Sequence, residues 1–561
     1  MKNNKKQAAI IAAIGLAVFV IAFAGIMLTR NVGKSAKTVS TESAVASIEK
    51  YIKKIAPKEA EPVKSPVELA GNDVDELPDI DTNEITVKPS TSLYAEIFST
   101  SEKCGPGKDG WINQVARSFN EAGFEVDGEP VSVMIRNVAS GLGMDYIRAG
   151  KYIPDGYAPS NDFWGRMLLA DGVAMEMVEE TLVENTAGIL LTKDTQKKLV
   201  EKYGAINLKT IVDATAGGEF AMGYTNPYAS ATGLNFLIST LQTYSAHDPL
   251  DDEAVEGFQS FQANVPFVAY TTLQMRDAAE TGTLDGFVME YQTYYNDPEL
   301  VRKYEFTPFG FVHTNPLYTT RDAEERKKEI LRLFSEFARS KENQDLAREY
   351  GFNQDLRYTV EQEEVDGATL LNAQELWKKE KDSGKPILAV FVADISGSMN
   401  GEPLNSLKTS LINGMRYINT TNYVGLVSYS DDVVINVPVG EFTLNHQSAF
   451  KGAVENLSAS GGTATFDGII VAADMLIKAS RQYPDAKMMM FVLSDGETNR
   501  GYSLKDIEEP IDALNIPIYT IGYNADIPAL ESISAINEAA NINADSDDVI
   551  YKLKNLFNSS L

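Results

Sequence analysis

The chain has 561 residues, with 79 acidic against 50 basic side chains and a formal net charge of −29. This length predicts two or three domains, and the acidic balance argues against a nucleic-acid partner, because phosphate contacts need clustered Lys and Arg. The single cysteine, Cys104, excludes an intrachain disulfide and a cysteine-based zinc cluster.

The N-terminus predicts a membrane segment. Lys2, Lys5 and Lys6 precede an apolar run from Ala8 to Thr29, which is long enough to cross the hydrocarbon layer of about 30 Å as a helix. Ala22-Phe23-Ala24 offers a signal-peptide cleavage site, but apolar residues continue beyond it, which favours an uncleaved anchor. Residues 1–29 are therefore interpreted as a transmembrane anchor or signal segment of a single-pass protein of the cell membrane whose bulk is extracytoplasmic.

Residues 30–88 predict an extracytoplasmic linker. They are rich in Ser, Thr, Lys, Glu, Asp and Pro, and the acidic, Pro-containing part has too little apolar area to build a core. A short helix is possible around residues 44–55.

The first globular pattern covers residues 89–375. Ala95 to Ser99 predicts a strand, Trp111 to Phe119 a helix, and Val131 to Arg136 a second strand followed by a helix through Ala149. Together with Asn226 to Leu234 and a predicted return strand over Gly282 to Glu290, this succession resembles the bacterial extracellular solute-binding proteins of the type II periplasmic class. The resemblance implies two lobes with a ligand cleft between them.

Ser/Thr-rich loops lead into helix starts in this region, at Ser99 to Ser101, at Ser140 and at Ser230 to Thr232. Helix N-termini present free N–H groups and a positive dipole end, so these loops could together hold an oxyanion or carboxylate. The candidate cleft residues are Ser99, Thr100, Ser140, Tyr228, Ser230 and Thr232. Two alternatives stay open, namely that these side chains only cap helices, and that Glu290 binds a cationic group or has a structural role.

A predicted linker, residues 376–385, leads to the second globular pattern, residues 386–561. The apolar run from Pro386 to Ala393 predicts a buried parallel strand, and Asp394-Ile395-Ser396-Gly397-Ser398 follows it at the sheet edge where open α/β folds place ligands. Thr463 follows Gly461-Gly462, and Asp495 follows the apolar strand Met488 to Leu493. These oxygen donors suit Mg²⁺.

The set Asp394, Ser396, Ser398, Thr463 and Asp495 resembles the metal-ion-dependent adhesion site of von Willebrand factor A-type domains. The resemblance implies a doubly wound, Rossmann-like α/β domain that binds Mg²⁺, or alternatively Mn²⁺ or Ca²⁺. It also implies that the hydroxyls bind the metal directly or through water, and that the aspartates bind it largely through water. An Asp or Glu of a protein partner then takes the open metal position, and the matching final helix covers residues 547–558. Thr463 is preferred to Thr465 because it follows Gly-Gly. The alternative is that the Ser and Asp residues cap a helix.

Asp394 is expected to face solvent and metal, so that alanine there removes Mg²⁺ affinity more than stability. No nucleophile–base pair or metal-ligand spacing involves the three histidines, and the sequence therefore predicts a binding protein rather than an enzyme. Two functions remain, namely Mg²⁺-dependent adhesion or surface complex assembly, and solute capture for transport or sensing with the A-type domain docked to a permease or receptor. A chelatase-like assembly factor is disfavoured because no ATPase segment accompanies the domain.

Overall fold

The computed structural model describes part of the chain. The described residues are 39–67, 77–219, 222–265, 267–269, 275, 286–381, 385–495, 498–514, 516–523, 541–544, 556 and 561. The predicted membrane segment 1–29 and nearly all of the predicted final helix 547–558 lie outside them. Within the described ranges, none of the helices combines the length and the apolar character that a membrane crossing requires.

The predicted linker 30–88 contains folded structure. Helix α1 (Thr41–Ile55) begins after Ser40, whose side chain accepts a hydrogen bond from the N–H of Ser43, and strand β1 (Lys58–Glu59) follows it. Both elements belong to the C-terminal domain, whose other described strands and helices come from position 387 onward.

Residues 77–380 form a two-lobed domain. The first lobe contains a mixed sheet in the order β2-β5-β3-β6-β13-β7, with β4 paired to β5. Its strands are β2 (Ile85–Val87), β3 (Leu93–Ser99), β4 (Glu125–Val126), β5 (Glu129–Asn137), β6 (Gly156–Ala158), β7 (Met175–Glu179) and β13 (Leu317–Thr320). The parallel pairing of β3 with β5 and β6 confirms the strand–helix alternation predicted from residue 95 onward.

The second lobe contains a five-stranded sheet among the described residues, in the order β10-β9-β11-β8-β12. Its strands are β8 (Asn185–Thr192), β9 (Met222–Thr225), β10 (Phe267–Ala269), β11 (Gly286–Glu290) and β12 (Tyr304–His313). The predicted return strand, β11, remains in this sheet between β8 and β9. The chain instead returns to the first lobe between β12 and β13, so the prediction that the strand over Gly282 to Glu290 returns to the first lobe was wrong.

Helices cover both sheets of the two-lobed domain. In chain order they are α2 (Ser101–Cys104), α3 (Trp111–Ala122), α4 (Ser140–Ala149), α5 (Phe163–Ala170), α6 (Lys193–Tyr203), α7 (Leu208–Ala216), α8 (Ala231–Tyr244), α9 (Asp252–Gln262), α10 (Tyr291–Asn296), α11 (Pro298–Lys303), α12 (Glu325–Ala338), α13 (Lys341–Glu349) and α14 (Gly367–Glu380).

The C-terminal domain has one central sheet in the order β1-β16-β15-β14-β17-β18-β19. Its later strands are β14 (Ile387–Asp394), β15 (Tyr423–Tyr429), β16 (Val433–Glu441), β17 (Lys487–Ser494), β18 (Ile518–Tyr523) and β19 (Asn541–Ala544), and its helices are α15 (Glu402–Gly414), α16 (Leu444–Glu455), α17 (Thr465–Ser480) and α18 (Leu504–Leu514). All residues of β14 are buried, and β14 runs parallel to both neighbours, β15 and β17. This explains its unbroken apolar sequence.

The N-terminal segment completes this domain. Ala44 and Ile48 of α1 are buried in the same core as α17 and α18, and β1 pairs in parallel with β16. Beyond β1, the N–H of Ser65 donates to the carbonyl of Ser448 at 3.0 Å, and the hydroxyl of Ser448 donates back to the carbonyl of Ser65 at 2.7 Å. Residues 41–66 are therefore a folded part of the C-terminal domain, and the two-lobed domain is inserted after them.

The first half of the predicted linker 376–385, residues 376–380, is helical. Helix α14 continues to Glu380, and the buried Trp377 donates its indole N–H to the hydroxyl of Tyr224 at 2.6 Å. At the end of α14, Lys378 donates to the carbonyl of Tyr417, and the amide of Asn419 donates to the carbonyl of Lys378 at 3.3 Å. The two domains therefore meet through direct hydrogen bonds at the end of this helix.

Candidate functional site

Strand β14 ends in Asp394, whose carboxylate is buried. It accepts hydrogen bonds from the hydroxyl of Ser494 at 2.6 Å, from the N–H of Ser396 at 2.8 Å and from the hydroxyl of Tyr429 at 3.2 Å. Burial and the neighbouring charge of Asp394 raise the pKa of Tyr429, so this phenol stays protonated as a donor. The expectation that Asp394 faces solvent was wrong, since its side chain is 0% exposed and anchors the ends of three adjacent strands.

The two serines of the loop lie beside Asp495. The hydroxyl oxygens of Ser396 and Ser398 are 3.0 Å apart, and Ser398 donates to Oδ1 of Asp495 at 3.1 Å. Ser396 is buried and Ser398 is exposed, so the cluster opens to solvent on one side. Burial, with a smaller contribution from the charge of Asp394, raises the pKa of Asp495.

The loop that carries Thr463 is joined to the serine loop. The N–H of Gly397 donates to the carbonyl of Gly461 at 3.0 Å. Gly461 has φ +79, and a Cβ there would lie 2.5 Å from a carboxylate oxygen of Asp431, so this turn requires glycine. The Asp431 carboxylate in turn accepts from the N–H of Gly462 at 2.9 Å and lies 2.7 Å from Nε of Arg500.

Thr463 and Thr465 differ in their surroundings. The backbone of Thr463 is fixed from both sides, because its N–H donates to the side chain of Asn499 at 2.9 Å and its carbonyl accepts from the hydroxyl of Thr498 at 2.9 Å. Thr465 begins α17, and its buried side chain hydrogen-bonds with the phenol of Tyr429, which opposes the rise of the Tyr429 pKa. The preference for Thr463 as a ligand stays a prediction.

The donor set fits a hard divalent cation. It consists of two carboxylates and three hydroxyls, all oxygen donors of the kind that Mg²⁺ and Ca²⁺ prefer. Over the residues that the structure describes, no group of three or more His, Cys, Asp or Glu side chains is placed to hold a metal ion. The hydroxyl-rich edge of the sheet is thus a candidate built mainly from neutral donors.

Sequence reasoning missed the residues that hold this site together. Tyr429 and Ser494 are the final residues of β15 and β17, and Asn499 supports the threonine loop. The register of the sheet would have identified Tyr429, because this residue pairs with Asp394 and therefore lies at the same edge of the sheet.

The predicted cleft residues of the first lobe lie in a buried polar cluster. The hydroxyl oxygens of Thr100 and Ser160 are 3.2 Å apart, and the N–H of Ser160 donates to the hydroxyl of Ser140 at 3.2 Å. Glu102 accepts hydrogen bonds from the hydroxyls of Thr100 and Ser160. Ser99 is also buried. Serine spacing did not reveal Glu102 or Ser160.

In the second lobe, Ser230 has the alternative role that the sequence left open. It caps α8 by accepting a hydrogen bond from the N–H of Gly233 at 3.3 Å. Thr232 instead donates its hydroxyl to Oε1 of Glu290 at 2.9 Å, and Nδ1 of His313 lies 3.2 Å from the same oxygen. The structure therefore gives Glu290 neighbours inside its own lobe.

The tautomer of His313 follows from Asn235. The Asn235 side chain accepts from the N–H of Phe311 at 2.9 Å and donates to its carbonyl at 2.7 Å, which fixes the orientation of the amide. The same Nδ2 then donates to Nε2 of His313 at 3.0 Å. We assign the proton of a neutral His313 to Nδ1, where it is donated to Glu290.

The two lobes are in contact at the predicted cleft. A Cβ on Gly141 would lie 2.2 Å from the carbonyl oxygen of Tyr228, and the side chain of Asn161 donates to the carbonyl of Ala231 at 3.4 Å. A cavity of about 320 Å³ lies elsewhere, where β8 begins and β12 ends, and is lined in part by Asn185, Tyr291 and Tyr358.

Comparisons with known proteins agree with this division. Residues 104–353 match the sequence profile of the bacterial extracellular solute-binding protein family, and residues 389–558 match that of the von Willebrand factor type A domain. Inter-alpha-trypsin inhibitor heavy chain H4 of Sus scrofa is 30% identical over 190 residues, 32% of this chain and 20% of that protein. The chain thus spans about a fifth of the length of this curated relative.

Two solved structures were also compared with this chain. Iron-bound HitA from Pseudomonas aeruginosa has 15% identity, covering 52% of this chain and 99% of its own, with a TM-score of 0.38. A von Willebrand factor type A protein from Catenulispora acidiphila has 18% identity, covering 31% of this chain and 42% of its own, with a TM-score of 0.29. From the two profile matches, the chain contains a bacterial extracellular solute-binding protein domain and a von Willebrand factor type A domain.

Proposed function

We propose that the C-terminal domain binds an acidic residue of a protein partner through a divalent cation, preferably Mg²⁺, held by Asp394, Ser396, Ser398, Thr463 and Asp495. The observation that supports this proposal is the cluster at the sheet edge. There the hydroxyl oxygens of Ser396 and Ser398 are 3.0 Å apart, and the hydroxyl of Ser398 lies 3.1 Å from the carboxylate of Asp495.

The partner chemistry follows from the donor set. A cation held largely by neutral hydroxyls keeps most of its positive charge, and would therefore attract an external carboxylate. Ser396 and Ser398 supply hydroxyl donors, Asp394 holds their loop by accepting from the N–H of Ser396, and Asp495 positions the Ser398 hydroxyl. Because Ser398 is exposed, a partner side chain can approach from solvent.

We further propose a setting for this activity. The protein is a membrane-tethered, single-pass and extracytoplasmic binding protein, without enzymatic activity, that serves in adhesion or in assembly of a surface complex. The N-terminal apolar run, Ala8 to Thr29, supports the tether.

The test is a pull-down of the full chain from membranes with Mg²⁺ and with EDTA, followed by identification of the proteins released. We expect EDTA and Ser398→Ala to release the same partner. Ser480→Ala is a matched control, because Ser480 lies at the opposite end of α17 from Thr465. A partner retained equally in EDTA would contradict the metal-dependent function.

Solute capture for transport or sensing is the second candidate function, with the A-type domain docking the protein to a permease or receptor. The observation that favours it is the set of buried polar residues on both sides of the lobe contact, with Ser140 and Ser160 on one lobe and Thr232 and Glu290 on the other. Under this function, variants of the cleft rather than of the metal site would give the transport phenotype.

A further inference from the structure

A carboxylate lies among buried hydroxyl groups of the first lobe, beside the residues that the sequence analysis assigns to the inter-lobe cleft. Oε1 of Glu102 accepts hydrogen bonds from the hydroxyls of Thr100 and Ser160, and Nζ of Lys103 lies 3.5 Å from the same oxygen. The Lys103 side chain is 0% exposed and that of Glu102 is 17% exposed. Two hydroxyls and one buried ammonium therefore converge on one carboxylate oxygen.

These donors are held in place by several parts of the domain. Nζ of Lys103 donates to Oγ1 of Thr100 at 2.7 Å and to Oδ1 of Asn315 at 2.8 Å. Ser160 is fixed through its N–H, which donates to the hydroxyl of Ser140 at 3.2 Å. Because these contacts do not involve Glu102, we expect the donors to stay assembled when its carboxylate is removed.

The donor set has the chemistry of an anion site. Hydroxyl and ammonium donors make strong, charge-assisted hydrogen bonds to a carboxylate or another small oxyanion, and a buried ammonium is costly unless it is paired. Burial opposes ionisation of Glu102, but Lys103 and the hydroxyls of Ser160 and Thr100 outweigh it and lower the pKa of this carboxyl. Glu102 is therefore an anion at neutral pH.

We propose that Thr100, Ser160 and Lys103 form an anion-binding site that the chain fills with its own Glu102. In the native protein this carboxylate excludes free oxyanions and carboxylates from the site, so a solute that enters the cleft binds there through uncharged or cationic groups. The proposal concerns the two-lobed domain and does not depend on the metal site or on its partner.

Chemical rescue tests this proposal in the full-length chain. All three tryptophans, Trp111, Trp164 and Trp377, lie in the two-lobed domain, so thermal unfolding followed by tryptophan fluorescence reports on this domain. Glu102→Ala should lower its Tm by about 5 °C, because Lys103 loses its charged partner. Formate or sulfate, compared with chloride at equal ionic strength, should restore most of that loss in a saturable way, and should leave the wild-type Tm unchanged.

Two controls separate the site from general salt effects. Adding Ser160→Ala to Glu102→Ala removes one donor and should weaken the rescue at least several-fold in anion concentration. Glu96→Ala breaks another partly buried ion pair of the same lobe, in which Glu96 lies 2.7 Å from Nε of Arg136, and it should show no comparable rescue. Equal rescue of Glu96→Ala and Glu102→Ala, equal anion stabilisation of the wild type, or no rescue of Glu102→Ala would each overturn the proposal.

Glu102→Gln keeps the test decisive if the alanine variant does not fold. The neutral amide preserves the volume but binds Lys103 less strongly than a carboxylate, so sulfate should displace it. Calorimetric titration should then detect sulfate binding to Glu102→Gln and none to the wild type. Absence of binding to the variant would contradict the assignment of Thr100, Ser160 and Lys103 as an anion site.

Discussion

The candidate metal-binding edge of the C-terminal domain and the cleft of the two-lobed domain use the same kinds of side chain but differ in their exposure to solvent. At the candidate metal-binding edge, the exposed hydroxyl of Ser398 and the partly exposed Asp495 leave oxygen donors open to solvent. In the cleft, the hydroxyls of Thr100, Ser160 and Thr232 are directed to the carboxylates of Glu102 and Glu290. Serine and threonine after a strand thus do not identify a ligand site until their hydrogen-bond partners are known.

Substitution of Asp394 gives the largest expected effect. Asp394→Ala should abolish Mg²⁺ binding and also lower the free energy of unfolding of the C-terminal domain by about 2–4 kcal/mol, because Ser494 and Tyr429 lose a buried acceptor. Calorimetric Mg²⁺ titration and denaturant unfolding followed by circular dichroism would measure the two effects. A variant of unchanged stability would mean that these hydrogen bonds contribute little.

Substitution of Ser398 should affect Mg²⁺ binding without affecting stability. Ser398→Ala should weaken Mg²⁺ binding by about 10- to 100-fold, while the unfolding free energy changes by less than about 0.5 kcal/mol, because the side chain is exposed. The measurement is the same calorimetric Mg²⁺ titration, with Ser480→Ala as the control variant. Wild-type affinity in Ser398→Ala would remove this hydroxyl from the donor set.

Substitutions in the cleft should change the stability of the two-lobed domain and leave the Mg²⁺ affinity unchanged. Ser230→Ala with Thr232→Ala removes the α8 cap and the hydrogen bond to Glu290, and should lower the stability of the two-lobed domain by about 2 kcal/mol. Tryptophan-detected unfolding would measure the loss, and Mg²⁺ titration should give the wild-type affinity. Unchanged stability would favour a ligand-binding role of these hydroxyls over a structural one.

Coupling between the two regions gives the smallest expected effect. Saturating Mg²⁺ should raise the tryptophan-detected Tm of the two-lobed domain by a measurable shift of no more than about 2 °C, since the described hydrogen bonds between the domains lie at the end of α14, and binding effects between sites are reciprocal. Asn419→Ala, which removes the hydrogen bond to the carbonyl of Lys378, should abolish this shift. A wild-type shift of zero would show that the two domains bind independently.

The sequence predicts well those features that depend on local pattern. The apolar run before Asp394 identifies strand β14, and the predicted strand Val131 to Arg136 lies within β5. The two family resemblances rest likewise on such local patterns, the order of strands and helices in the first domain and the short motifs after strands in the second. These features succeed because each is specified by neighbouring residues and by the burial that they require.

Long-range contacts account for what the sequence could not predict. The pattern of α1 suggests a helix, but only the folded chain shows that Ala44 and Ile48 face α17 and α18, more than 400 positions away in sequence. His313 and Glu290 are 23 positions apart, with no spacing that signals a pair. Burial of Asp394 was missed for the same reason, since the hydroxyl donor Ser494 comes 100 positions later.

The insertion of the two-lobed domain also sets an order for folding during synthesis. Strand β1 leaves the ribosome early, but its partner β16 follows only after the whole inserted domain, and the ion pair of Lys58 with Asp432 closes a separation of 374 positions. Domains generally fold as units in the order of their synthesis, and such distant pairings form slowly. The two-lobed domain can therefore fold first, while the short N-terminal piece waits for the rest of its sheet to emerge.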